Sequence, residues 1–174
     1  MERVMRNMTA GAIGGVVADV IVSGVTAVGR DAGFLHKTLG DQASHWLDRR
    51  FNTRDWAGED GAQALEQGNH LAAAAAFGAV YGATRPITQA VPPFAAGALF
   101  GAGLYAVAIT GVATRNGFTP DDEDDEAIGL QGLGLNVLFG VITALVADAL
   151  APVRRTPRAK AAAPAVKIAD PGEE

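Results

Sequence analysis

Cysteine is absent from this 174-residue chain, which excludes disulfide frameworks, thiolate metal sites and cysteine nucleophiles. Charge is scarce as well: Asp, Glu, Lys and Arg make up 19% of residues, against roughly a quarter in an ordinary soluble domain. Aromatic residues are few, at 6%, so a core of bulky rings is excluded. The net charge of -5 argues against a nucleic-acid partner, because neutralising phosphates takes a surplus of Lys and Arg on one face. What fills the space instead is small and apolar. Hydrophobic residues reach 49% with 22 glycines, and the mean hydropathy is +0.17.

The few charges are unevenly placed. Between residues 7 and 29 the sole Asp, Glu, Lys or Arg is Asp19, and 67–84, 86–114 and 127–147 have none. A helix on the surface of a soluble protein needs a polar face, and these stretches leave whole helical circumferences without one. They are therefore expected to be membrane spans at about 9–28, 70–84, 94–114 and 128–150, close to the roughly 20 residues that a helix needs to cross a bilayer. Arg85 and Pro86 are expected to close the second span, Pro92 and Pro93 to open the third, and Pro152 with Arg154 and Arg155 to end the fourth. A soluble helical oligomer hiding the same faces and a cleaved secretory signal at the N-terminus are the competing readings. Asp19 within the first apolar stretch and the three later spans count against the signal.

Four spans put both termini on one side. That side holds Arg3, Arg6, Arg85, Arg154, Arg155, Arg158, Lys160 and Lys167, against Arg30, Lys37, Arg49, Arg50, Arg54 and Arg115 on the other. The excess places both termini in the cytoplasm. In the long first loop Phe34, Leu35, Leu39, Ala43, Trp46, Leu47 and Phe51 recur at helical spacing among charged residues, which predicts an amphipathic helix on the membrane surface. His36 and His45 are nine apart, too poorly phased for a zinc site on one helix face. Asn52, Thr53 and Asp55 are expected to form a turn and cap before the second span. The acidic run from Asp121 to Glu126 is expected to be a solvated loop, and the Pro-rich basic tail 153–174 to be disordered beside anionic lipid. The domain so outlined is residues 1–152.

Paired small residues recur within the spans. Gly11 with Gly15, Gly78 with Gly82, and Gly97 with Gly101 each set two glycines on one helix face, where close backbone approach drives association in lipid. The functional signal lies in polar residues at depth. Asp19 falls near mid-bilayer on the face of Gly11, Gly15 and Ser23, and counting helical rise puts Tyr105 and Asn136 at a similar depth. The three define a candidate intramembrane polar cluster, either a proton-sensitive centre or a clamp between helices. His70 and Asp148, at the ends of the second and fourth spans, are candidate pH-responsive groups. No phosphate loop, nucleophile elbow, paired catalytic carboxylates or metalloprotease helix occurs, so neither catalysis nor a cofactor is expected.

The segments GAIGGVVADVIVSG, HLAAAAAFGAVYG, GALFGAGLYAVAITGV and NVLFGVITALV, which together span most of residues 9–150, resemble the small YagU-like bacterial inner-membrane proteins. The resemblance implies a multi-pass inner-membrane protein with a role in acid-stress resistance and supplies no catalytic residues. Members of that group often carry His where this chain has Asn136. The expectation is thus an all-α, four-span bundle that is not an enzyme and helps the cell envelope tolerate acid or other stress. Its partners would be the lipid bilayer and a second copy or another membrane protein. A small oligomeric channel or transporter and an assembly subunit of a larger complex are the alternatives.

Overall fold

The computed structural model describes residues 1–35, 53–108, 110 and 125–152. These residues form four helices and no strands: α1 (Glu2–Asp31), α2 (Thr53–Thr88), α3 (Pro93–Val107) and α4 (Asp125–Leu150). Most of the expected surface helix, the acidic loop before residue 125 and the tail 153–174 lie outside the described residues. Phe34, at the start of that surface segment, is exposed, and the side chain of Leu35 folds back over Gly29.

The helix limits follow local chemistry. Proline at the first position of α3 gives up an N–H that has no acceptor there, and Pro92 O takes the N–H of Ala96. α2 begins before the expected span: Thr53 and Asp55 lie within the helix, which bends at Gly58 before continuing as one rod. At Gly58 φ is 71° and ψ 177°, a conformation that only glycine adopts without strain. The same helix runs through Pro86 to Thr88, so Pro86 sits in the last turn and does not end it. α1 likewise starts seven residues ahead of the expected span, at Glu2.

α1 packs between α2 and α4, and α3 packs on the far side of α4. The α1–α2 seam is built from the backbone. Gly11 lies against Gly78, Gly15 against Ala74 and Gly82 against Asn7, so tightly that a Cβ on any of these four glycines would overlap a carbonyl oxygen of the other helix. Each step up α1 is matched by a step down α2, which makes the pair antiparallel. The α3–α4 seam repeats the device, with Gly97 on Gly140 and Gly101 on Asn136. α1 meets α4 where Gly14 lies against the backbone of Thr143.

The interior is correspondingly made of small side chains. Among the described residues Ala10, Ala18, Ala74, Ala96, Ala144, Ala147 and Ala151 are buried, with Tyr81 as the one large apolar member of the core, and the largest fully buried side chain is Thr143. The branched and aromatic residues point outward: Ile13, Val17, Val20, Ile21 and Val25 on α1, Phe77 and Val80 on α2, Leu99 on α3, and Leu130 and Leu145 on α4 are all exposed. This is the reverse of a soluble protein, where such residues fill the core. α1 and residues Gly129–Leu150 of α4 are long and apolar enough to cross a membrane, yet only 28% and 22% of their most apolar stretches are buried within the bundle. α3 is apolar but, at 15 residues, shorter than a full span.

Candidate functional site

Two carboxylates occupy the bundle, one toward each end of it. Asp19 continues the glycine face of α1 by one more step of four beyond Gly15, and His70 continues the matching face of α2 by one step beyond Ala74. The two side chains meet there, His70 Nε2 lying 3.5 Å from Asp19 Oδ1. The carboxylate is largely covered, with 13% of its side chain exposed, while the imidazole is 56% exposed. The pair therefore has a sheltered acid and an accessible base. Ser23, one further step along α1, is exposed and takes no part in this face.

At the other end Arg85, in the last turns of α2, is 4% exposed. One nitrogen, Nη1, donates to Ala147 O at 2.8 Å and to Ala151 O at 2.7 Å, and Nη2 donates to Asp148 Oδ1. The last carbonyls of a helix have no partner within it and carry its negative end, so a cation there is favoured twice, by hydrogen bonding and by the dipole. The guanidinium thus joins the end of α2 to the C-terminus of α4 and neutralises Asp148 as well. A small cavity of about 20 Å³, room for one water, lies beside it between Tyr81, Gln89 and Asp148. Tyr81 closes the site from within, its ring edge-on to Phe100 with centroids 5.3 Å apart.

The structure distributes the proposed cluster of Asp19, Tyr105 and Asn136 over two seams. Asp19 faces α2 through His70. Tyr105 and Asn136 belong to the α3–α4 seam, where the Tyr105 ring lies over Gly132 and Asn136 Nδ2 donates to Gly132 O at 2.9 Å. His70 stands within α2 rather than at its end, and Asp148 is held by Arg85. In the sequence Arg85 reads only as a flanking charge. The signal that marks it is its isolation, since it is the sole Asp, Glu, Lys or Arg between residues 67 and 114. Among the described residues no group of three His, Asp or Glu side chains is placed to hold a metal ion.

No protein-family model, curated protein or solved structure matches this chain.

Proposed function

We propose that this protein is a non-enzymatic, four-span integral protein of the bacterial inner membrane, with both termini in the cytoplasm, that helps the cell envelope tolerate acid. The observation that carries the reading is the Asp19–His70 pair inside a bundle whose outer surface is aliphatic. The aliphatic coat suits lipid, which offers the exposed Val, Ile, Leu and Phe side chains a solvent as apolar as themselves, while the glycine and alanine seams supply the close approach that holds helices together there. A bare carboxylate within a span is costly, and the imidazole of His70, 3.5 Å away, is the partner that the bundle gives it. The α1–α2 seam therefore carries an acid–base pair at the end of its glycine face.

The test is survival of an acid challenge by a strain lacking the gene, complemented with wild type or with Asp19→Asn at matched membrane levels. Rescue by wild type and not by Asp19→Asn is the expected result. A deletion without a defect removes the stress role. The closed glycine seams disfavour a pore through a single copy, so the channel reading requires a conduit between copies, which ion flux in liposomes detects. A role in assembly is read out by co-purification of a partner in mild detergent.

A further inference from the structure

The two seams are copies of one another. Moving 129 positions along the chain carries Asn7, Gly11, Ile13, Val17, Ala18 and Asp19 of α1 onto Asn136, Gly140, Ile142, Val146, Ala147 and Asp148 of α4, all identical pairs. Moving 19 positions carries Gly-Ala-Val-Tyr-Gly-Ala at 78–83 of α2 onto Gly-Ala-Leu-Phe-Gly-Ala at 97–102 of α3. Contacts obey the same operation. Asn7 against Gly82 becomes Asn136 against Gly101, and Gly11 against Gly78 becomes Gly140 against Gly97.

A two-fold rotation requires one thing more, that residues on its axis touch their own counterparts. Gly14 and Thr143 are counterparts and touch; Tyr81 and Phe100 are counterparts and touch. α1 and α4 run in opposite directions, because Gly14 is level with Thr143 whereas Ala147 and Ala151 lie beside Arg85, at the end of α2 that flanks the start of α1. The axis is therefore perpendicular to the helices and, in a bilayer, lies in its plane. Inverted repeats of this kind relate two halves of opposite orientation. Asp19 and Asp148 stand about five residues, or ~7 Å, on either side of it.

The operation also compares the surroundings of the two carboxylates. Gln89, beside Asp148 in the small cavity, is the counterpart of His70. Arg85, which neutralises Asp148, has Leu104 as its counterpart. Among the described residues of α3 and α4, no Asp, Glu, Lys, Arg or His occurs at 93–108 or 129–147, and the phenol of Tyr105 lies over Gly132. On α1 the nearest such groups are Arg6 and Arg30, more than two helical turns away, and on α2 the nearest besides His70 is Glu66, one turn further out and exposed.

We propose that the two aspartates are two copies of one cation site in an inverted repeat. The copy at Asp148 is filled permanently by the guanidinium of Arg85, and the copy at Asp19, where Leu104 replaces the arginine, is filled by an exchangeable proton shared with His70. This deepens the functional reading above and rests on it for the membrane setting. The repeat explains why one carboxylate is fixed and its twin is not, and it names the position that sets the difference.

The experiment is infrared titration of the full-length protein in vesicles of phosphatidylethanolamine and phosphatidylglycerol, following the carboxylic-acid carbonyl band against pH in wild type and variants. Wild type is expected to show a protonated-carboxyl band that Asp19→Asn removes and Asp148→Asn leaves. Leu104→Arg should abolish the Asp19 band by filling the site, and Arg85→Leu should add a second band that disappears in Arg85→Leu/Asp148→Asn. Helicity by circular dichroism confirms that each variant is folded. Because the two arms use different halves, misfolding of one variant leaves the other decisive. A wild-type band belonging to Asp148, an Asp19 band persisting in folded Leu104→Arg, or no new band in folded Arg85→Leu overturns the equivalence. An Asp19 band that behaves as expected in a protein whose deletion leaves acid survival unchanged removes the stress role and keeps the site.

Discussion

Gly11→Ala and Gly24→Ala add the same methyl group to the same helix, and the structure gives them opposite signs. At Gly24 the new Cβ meets nothing within 4 Å, so the substitution only raises helix propensity, by about 1 kcal/mol at most. At Gly11 the same atom overlaps the carbonyl oxygen of Gly78 and lies 2.9 Å from Gly82 N. Both are backbone atoms and cannot swing aside, so α1 and α2 must separate by on the order of 1 Å. A gap of that size forfeits a quarter to a half of each atom–atom contact along the seam, and overpacking of this kind costs about 1–3 kcal/mol. The propensity gain is common to both sites and cancels in the comparison, so the two variants should differ by the overpacking cost, about 1–3 kcal/mol. Unfolding in mixed micelles by titration with sodium dodecyl sulfate, followed by circular dichroism, measures the difference. Equal stability of Gly11→Ala and Gly24→Ala would refute the packing argument, since nothing else separates the two sites.

Other outcomes follow from the same contacts. Arg85→Leu leaves the Asp148 carboxylate and the Ala151 carbonyl without the guanidinium, while Ala147 O keeps the N–H of Ala151; with Asp148 38% exposed, the bundle should lose about 1–3 kcal/mol, and Arg85→Leu/Asp148→Leu should recover much of it. Val20, 61% exposed on α1, distinguishes lipid from water: Val20→Lys should lower membrane insertion by about 2.5–3.5 kcal/mol in a glycosylation-reporter assay, while a water-facing residue would tolerate the change. Because the chain has no cysteine, single cysteines at Arg3 and Arg30 can be tested directly; an impermeant thiol reagent added outside should label Arg30→Cys and spare Arg3→Cys.

The helices were legible because charge-free stretches and flanking prolines are local signals. Their lengths were less so. The polar residues before His70 resemble a loop and set it at the end of a span, but α2 is helical from Thr53, bent at Gly58, and that places His70 level with Asp19 on the neighbouring face. Counting depth from presumed span ends grouped Asp19 with Tyr105 and Asn136, whereas contact depends on which faces meet. That is fixed by the interhelical register, a tertiary property that depth alone does not encode. Pro86 reads as a stop, yet the residues after it keep their own N–H groups, so the helix gives up one i→i−4 bond there and runs on to Thr88. Arg85 reads as a flanking anchor in a one-dimensional sequence. Its burial depends on the C-terminus of α4, more than sixty residues later, arriving beside it.

The contact between Gly14 and Thr143 also constrains the order in which the molecule is made. Each seam joins neighbouring helices and can zip as soon as its second helix emerges, but the first helix finds its other partner only when the last has been synthesised. Until then the small-residue flank of α1 is open to any helix nearby. Assembly thus reduces to docking two preformed hairpins, and a chain that terminates before α4 would leave the first hairpin with an uncovered glycine face that a second truncated copy could occupy.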